Sequence, residues 1–323
     1  MILLRTNSLD VRRNLAVEAA LLDRYAVAAK PMLFLWRSAN AVVIGKNQNP
    51  WCEANLPLMQ DEKCALARRI SGGGAVYHDE GNLNYTFIMD RRLYKGDCMF
   101  GIVLAALKAL GLNASRMGRT SIGVEGSKVS GNAFCYRRGA AMHHGTLLVS
   151  SDLEKMARYL RSGASEMNSR AISSHPAETV NLRDMLPNIG IGNVEAAVVQ
   201  SAISGLGPID ERRGDEWIDA LVQQDAVERM ASWEWLYGHT PPFAFSIERQ
   251  VCGMNVSLQA NVTDGVIDKA DIIVRDQSGS LLLESRLQSV RFDAEEIAER
   301  LRPAAAPVGT GFEHAVARAF LTA

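Results

Sequence analysis

The chain has 323 residues, 47% of them hydrophobic and 22% charged, and its 35 Lys and Arg nearly cancel its 36 Asp and Glu to leave a net charge of -1. That balance excludes a protein whose main work is coating nucleic acid or an anionic membrane. With 26 glycines and 10 prolines it is neither collagen-like nor disordered, and its length suits two domains or one large domain with an appendage.

The five cysteines, Cys52, Cys64, Cys98, Cys135 and Cys252, show neither CxxC spacing nor a Cys/His cluster, so reduced thiols are expected. The N-terminus reaches Arg5 too soon for a signal-peptide apolar stretch, and no run approaches a membrane span. A cytoplasmic protein is the expectation.

Residues 2–4 read as a strand, and Asp10 caps a helix to about Tyr25, with Val11, Leu15, Ala19 and Leu22 at helical spacing. The apolar runs 32–36 and 41–45, four residues apart, have the pattern of a hairpin. Asn49-Pro50 opens a helix to about Lys63. Strands follow at 65–70, 75–78 and 83–89, interrupted by Gly72-Gly73-Gly74 and Glu80-Gly81-Asn82. Asp97 caps a helix that ends at Gly111.

Residues 121–150 are strand-like, with turns at Glu125-Gly126 and Arg138-Gly139, and Asp152 begins another helix. The polar stretch 161–178 is a long loop, and helices are expected at 194–205 and 215–231. The aromatic run 233–237, Gly238 and Pro241-Pro242 mark a boundary between a domain of residues 1–243 and a smaller one of 246–323. Within the latter, 246–250, 254–260 and 266–274 form a meander turning at Asp264-Gly265, and helices lie near 293–301 and 311–321. Strands cluster and helices fall between the clusters, so the fold class is α+β, not a doubly wound sheet.

Three groups of residues carry chemistry. In RRISGGGAVYHD, Arg68 and Arg69 precede three contiguous glycines between strands. Such a loop either cradles an anion with its amides and a guanidinium or simply connects two strands beside solvated arginines. It is not the dinucleotide GxGxxG, because the glycines are contiguous and a strand follows. Lys128, between small residues in EGSKVSGNAF, either neutralises a phosphate or oxyanion or faces solvent; the spacing of a Walker loop is absent. His143-His144-Gly145-Thr146 offers an imidazole or fills a strand corner, with no second ligand pair for a metal.

Taken in order, RRISGGGAVYHDEGNLNYTF, EGSKVSGNAF and HHGTLLV resemble the lipoate–protein ligase family, as do the upstream GKNQNPW (residues 45–51) and the later YGHTPPF (237–243). The resemblance implies a large mixed-sheet catalytic domain like that of biotin and lipoyl ligases, with a small α+β accessory domain. It implies ATP-dependent lipoylation in two steps. Lipoate attacks the α-phosphorus of MgATP to give lipoyl-AMP, and a lysine of an acceptor lipoyl domain then takes the lipoyl group. The implied acceptors are E2 subunits of 2-oxoacid dehydrogenases and the glycine cleavage H protein; nucleic acid and membrane are not implied partners.

Carried over by motif, Lys128 is the catalytic residue and contacts both ATP and lipoate. Arg69, Gly74, Ala75, Val76 and Tyr77 would bind the adenylate, and Trp36, Ser71, Gly72, Gly73, Ser130 and His144 the lipoate. Asn82 and Arg137 are further candidates, and Asp79 either assists magnesium or caps a turn. Two stretches depart from the family pattern. The arginine that follows the lysine strand elsewhere is replaced by Phe134-Cys135-Tyr136-Arg137-Arg138, so Arg137 would take over its contact. The adenylate-covering stretch 174–182 carries no arginine, leaving Arg170 or His175 as candidates.

One competing reading is an octanoyl or lipoyl transferase that uses an acyl-carrier protein and a cysteine thioester without ATP. Its cysteine belongs just before the lysine strand, where this chain has Ser115 and Arg116; Cys98 lies on the preceding helix and Cys135 after the lysine. A third reading is a non-catalytic lipoyl-domain binder, for which Arg69, the triple glycine and Lys128 would be surplus.

Overall fold

The computed structural model describes residues 1–24, 30–160, 167–174, 177–306, 308–309 and 311–321. Contacts divide the chain into two units interleaved in sequence. One comprises Met1–Lys46, Ala65–Ala157 and His175–Ala231; the other comprises Asn47–Cys64, Arg158–Ser174 and Ser232–Ala323. The expected boundary at 243–246 falls inside the last of these segments.

The first unit is built on an eight-stranded sheet. Its order is Glu211–Arg213, Ile2–Arg5, Met32–Trp36, Asn82–Asp90, Ala140–Leu148, Ser127–Arg137, Ser121–Val124, Ala114–Met117. The first three strands run parallel and the rest antiparallel. The turns Glu125-Gly126 (φ 53 and 89°) and Arg138-Gly139 (φ 44 and 82°) are left-handed pairs, the geometry that matches strand twist in tight hairpins. Asp10 caps the helix Val11–Arg24 through Oδ1, which accepts from the amides of Arg12 (2.8 Å) and Arg13 (3.2 Å). The expected end at Tyr25 lies outside the described residues.

The runs at 32–36 and 41–45 do not form a hairpin. Met32–Trp36 joins the large sheet, whereas Ala41–Ile44 is the centre of a separate three-stranded sheet between Ala65–Arg68 and Val76–His78. Every residue of both runs is buried. Continuous apolar strands need cover on two faces, which a hairpin of just these two would lack. Asp97 also departs from expectation. The helix Gly96–Ala109 has Lys95 at its cap position without a side-chain bond, and Asp97 pairs with Arg116 from the first turn. The helix expected at 215–231 is two, Asp215–Leu221 and Gln224–Ala231.

The second unit holds an antiparallel sheet ordered Met167–Ser169, Phe243–Val251, Met254–Thr263, Val266–Arg275, Leu281–Leu287, with Val290–Arg291 also against Val266–Arg275. The expected meander is there, turning at Asp264-Gly265 (φ 51 and 73°), with a further strand beyond it. Helices Ala294–Ala305 and Phe312–Leu321 complete the unit.

The helix expected from Asn49 to Lys63 is two short ones, Pro50–Glu53 and Leu56–Asp61, capped by the Asn49 and Asn55 side chains. Trp51, only 1% exposed, sits among Trp233, Tyr237, Phe243 and Phe292 with ring centroids 5.1–6.3 Å away. Of the long loop expected at 161–178, the described part contains Met167–Ser169 and a segment held by buried Glu53, which accepts from the Ser174 amide and hydroxyl. Residues 161–166 and 175–176 lie outside the described set. No helix among the described residues is long and apolar enough to cross a membrane.

Candidate active site

Strand register in the large sheet sorts the motif residues onto two faces, because residues opposite one another across a ladder share a face and neighbours along a strand do not. One face carries Phe34, Thr86, His144 and Ala133 in a row. The adjacent row is Trp36, Asn84, Thr146 and Gly131, where Thr146 Oγ1 accepts from the Gly131 amide (3.1 Å). Asn82 extends this face next to Asn84.

The helix Val11–Arg24 lays Glu18 on these rows. Its carboxylate, fully buried, accepts from Thr86 Oγ1 (2.5 Å), Trp36 Nε1 (3.3 Å) and His144 Nδ1 (2.9 Å). On the other side of the ring, His144 Nε2 is hydrogen-bonded to the Ser71 hydroxyl, 2.7 Å away. Ser71 begins the glycine loop, so one chain of hydrogen bonds runs from the helix through His144 to the loop.

Arg69 shapes that loop from inside. Its guanidinium donates to Gly72 O (2.7 Å), Gly74 O (2.8 Å), Val43 O (3.2 Å) and Ser71 Oγ (3.1 Å). Burial pulls its pKa down to about 10, and Glu18 opposes the shift. Arg68, also buried, donates to Gly45 O and Lys46 O. With the loop carbonyls drawn to Arg69, the amides of Gly72, Gly73 and Gly74 make no hydrogen bond among the described residues. Gly73 has φ +93°, and a Cβ on Gly45 would lie 2.2 Å from Gly73 O, so the loop depends on both glycines. Gly73 also lies against Ala133 of the sheet, 3.8 Å from the position its own Cβ would take.

Lys128 reaches this face through a bulge. Ile122 pairs with Ser130 but the next residue, Gly123, pairs with Lys128, so Val129 is an extra residue in its strand. The added residue moves Lys128 from the face of Ser130 to that of Gly131: a Cβ on Gly131 would lie 3.5 Å from Lys128 Nζ and 3.9 Å from Thr146 Oγ1. The lysine backbone is held on its free edge by Glu178 O, which accepts from Lys128 N (2.8 Å), and by Val180 N, which donates to Lys128 O (3.1 Å). Burial, then repulsion from Arg69, pulls the Lys128 pKa down. No carboxylate pairs with Nζ among the described residues.

The opposite face has a separate network. Asn132 Oδ1 accepts from Tyr85 Oη (2.5 Å) and His143 Nε2 (2.9 Å), while Asn132 Nδ2 donates to Ser130 Oγ (3.2 Å) and Thr120 O (3.2 Å). His143 lies against Phe87, Tyr94, Phe100 and Phe134, and burial lowers its pKa to about 3. Tyr85 crosses over Gly145 to reach Asn132, and a Cβ there would lie 2.4 Å from Tyr85 Oη and 2.7 Å from Asn132 Oδ1.

Of the residues expected in the site, Trp36, Arg69, Ser71, Gly72, Gly73, Gly74, Lys128 and His144 gather on or above the first face. Ser130 is on the other. Val76 and Tyr77 belong to the three-stranded sheet, where the Tyr77 hydroxyl donates to Asn40 Oδ1 (2.9 Å), and Ala75 leads into it half-buried. Asp79 is a turn residue: Oδ1 accepts from the Gly81 amide (2.9 Å) and Oδ2 from that of Asp152 (2.7 Å). Among the described residues no group of three or more His, Cys, Asp or Glu could hold a metal. Arg137 pairs with Asp23 at 3.3 Å. Arg170 belongs to the second unit, and His175 lies outside the described residues.

Sequence reading missed Glu18, Asn84, Thr86 and Thr146. Two signals mark them. Glu18 stands three positions after Leu15 and four before Leu22, a carboxylate inside the apolar stripe, and Asn82, Asn84 and Thr86 alternate as polar residues along a strand that is apolar or aromatic elsewhere up to Met89. Asn82 Nδ2 donates to Asn84 Oδ1 (3.1 Å), while Asn84 Nδ2, Asn82 Oδ1 and His78 Nε2 are buried without partners among the described residues. Each such orphan costs about 1–3 kcal/mol, which a bound ligand of matching polarity would offset.

An anion-ready loop, a lysine aimed beside it and an aromatic-lined floor form one constellation, and comparison with known proteins is consistent with it. A family model described as the lipoyl protein ligase A/B catalytic domain matches residues 10–203. A Plasmodium falciparum LipL1 structure in complex with lipoate is similar over 94% of each chain, at 27% identity and a TM-score of 0.64. Lipoate-protein ligase A bound with ATP is similar at 26% identity and a TM-score of 0.63, over 72% of this chain and 96% of that one. The putative lipoate protein ligase Ta0514 from Thermoplasma acidophilum, with bound lipoic acid, gives 26% identity and 0.60 over 73% and 98%. The expected mixed-sheet α+β fold is the one these structures share, and since the family model spans more than half of its residues, the chain belongs to the lipoate–protein ligase family.

Proposed function

We propose that this ligase uses ATP to convert lipoate to lipoyl-AMP and then passes the lipoyl group to a lysine of an acceptor lipoyl domain, on an E2 subunit or an H protein. The observation that carries the reading is the contrast among three cations. Arg68 and Arg69 are occupied by backbone carbonyls, whereas Lys128, turned by a bulge toward the glycine loop, has no carboxylate partner among the described residues.

In the first step a lipoate carboxylate oxygen bonds to the α-phosphorus and the bond to pyrophosphate breaks. Lys128 Nζ would hold the carboxylate and the α-phosphoryl group together, and the Gly72–Gly74 amides would take up phosphoryl charge, effects of alignment and charge stabilisation. In the second step the acceptor amine bonds to the acyl carbon and AMP leaves. Phe34 and Trp36 would line the path of the apolar lipoate tail, with Glu18 fixing the indole. Magnesium accompanies ATP in such reactions, but both Asp79 oxygens already accept backbone amides, so Asp79 does not fit a metal ligand and no step is assigned to the ion. Residues 1–243 would then be the catalytic part and 246–323 the accessory part of a cytoplasmic enzyme.

The test is lipoate-dependent ATP–pyrophosphate exchange. Wild-type protein is expected to exchange, and folded K128A to lose at least a hundredfold; undiminished exchange in K128A would remove the lysine from the mechanism. Recording the mass of an acceptor lipoyl domain, with lipoate and MgATP omitted in turn, separates this from the thioester route. Cys135 is a poor nucleophile for that route because burial pushes its thiol pKa up. A mass gain from octanoyl carrier protein without ATP would overturn the ligase reading.

A further inference from the structure

We propose that Asn84 touches the substrate: its side-chain amide donates to the acyl carbonyl oxygen beside Lys128. The inference rests on the lipoyl-transfer reading above and adds a residue to it. Asn84 is 3% exposed, the third residue of the strand Asn82–Asp90. Its Oδ1 accepts from Asn82 Nδ2, which turns Nδ2 away from Asn82, and Nδ2 has no acceptor among the described residues. Its row holds Trp36 on one side and Thr146 on the other. Thr146 Oγ1 is committed to the Gly131 amide, and the same glycine has Lys128 Nζ against it. A neutral donor and a cation therefore stand on one face, two strands apart, under a loop whose amides make no hydrogen bond among the described residues.

The chemistry asks for that combination. When the acceptor amine attacks, its nitrogen bonds to the acyl carbon, and the carbonyl electron pair moves onto oxygen. It returns as the bond to AMP breaks, and the amine proton leaves to water. Lys128 must also serve the phosphate, so a second donor dedicated to the acyl oxygen stabilises charge that Lys128 alone would share. A carboxamide supplies it without another cation next to Arg69 and Lys128.

N84A, N84D and N84S test this. N84D keeps the acceptor for Asn82 but loses the donor, and N84S keeps a shorter donor. Each is assayed for thermal unfolding, for lipoate-dependent exchange, and for single-turnover transfer from synthetic lipoyl-AMP to a purified E2 lipoyl domain. Removing one such donor is expected to lower transfer by about 10²–10³-fold in N84A and N84D, with the KM for lipoate changed far less, because the bond strengthens only as charge develops. N84S should fall between them and wild type. If N84A or N84D does not fold, N84S against wild type carries the test. Transfer within twofold of wild type in the folded variants, or a rise in KM without a fall in rate, would overturn the inference while leaving the ligase reading intact. A wild-type protein without lipoate-dependent exchange would overturn both.

Discussion

His143 and His144 are neighbours in the chain and look alike in the sequence, yet they face opposite sides of one sheet. His143 is packed among aromatic rings and donates to Asn132, an amide already bonded to Tyr85. His144 lies between a buried carboxylate and the hydroxyl that opens the glycine loop. The first network closes on itself, because every partner named in it is a protein group. The second runs into the glycine loop, whose amides make no hydrogen bond among the described residues, on a face that also holds Lys128 and an Asn84 Nδ2 with no acceptor among the described residues. Two adjacent imidazoles of one motif thus differ in role because the strand alternates, and an open network marks the face that can take a ligand.

The sharpest way to break this contrast is to empty the centre of the open face. Glu18→Ala deprives His144, Thr86 and Trp36 of one shared acceptor. With each orphaned donor costing about 1–3 kcal/mol, the expected loss of stability in urea unfolding is on the order of 3 kcal/mol, and lipoate-dependent exchange should fall with it. A variant as stable and active as wild type would mean that the carboxylate does not organise this face. The next largest effect is at the crossing point of the closed network. In Gly145→Ala the new methyl would meet both Tyr85 Oη and Asn132 Oδ1. Overpacking of this kind costs about 1–3 kcal/mol, and chemical denaturation at neutral pH measures it.

Much of this was legible in advance where local rules suffice. The tight turns at Glu125-Gly126 and Arg138-Gly139, the cap at Asp10 and the meander after Phe243 follow from turn chemistry, capping and alternation. The gathering of Ser71, the glycines, Lys128 and His144 followed from motif order. What was not legible depends on partners distant in sequence. The bulge at Val129 exists only against Ile122 and Gly123, and without it a period of two puts Lys128 on the face of Ser130, which is where the motif alone leads. Nor does the sequence show that Arg69 donates to four loop and strand acceptors, because Val43, Gly72 and Gly74 reach it only once the strands have paired. Trp51, in a motif shared with the family, proved to be a core residue of the second unit.

The two histidines can also be compared directly. His143→Phe should cost about 1 kcal/mol at neutral pH, for the bonds to Asn132 and Tyr94, with exchange within a few-fold of wild type. Its pH dependence carries a sign. The folded pKa of about 3 lies below the ordinary value of 6.5, so the unfolded chain binds the proton first. The stability this provides is complete above pH 6.5 and is lost as pH falls toward 3, a slope that His78 shares because its pKa is also lowered to about 3. Phenylalanine at 143 removes one of the two, so unfolding curves against pH should show a shallower acid limb and a smaller deficit at pH 4 than at pH 7. An unchanged acid limb would show that His143 takes up its proton at the same pH in the folded and unfolded protein. His144→Phe should instead lower exchange at least tenfold.

The smallest effect is expected at Arg137, which shares the face of Gly131, Ala133 and Lys128 but stands at the far end of the strand. Six residues beyond Gly131 place it roughly 20 Å away at the rise of an extended chain. Its guanidinium pairs with Asp23 on the helix that carries Glu18, and both side chains are more than a third exposed. Exposed pairs contribute about 0–1 kcal/mol and weaken in salt, so Arg137→Ala should shift the unfolding midpoint slightly, and less at high ionic strength. Exchange should be unaffected, since the residue already has a partner and stands far along the strand from Gly131 and the Lys128 amine. A tenfold fall in exchange with the midpoint unmoved would reverse that reading, giving Arg137 the substrate contact that its place after the lysine strand suggested. The open face would then extend the length of the strand instead of ending near Ala133.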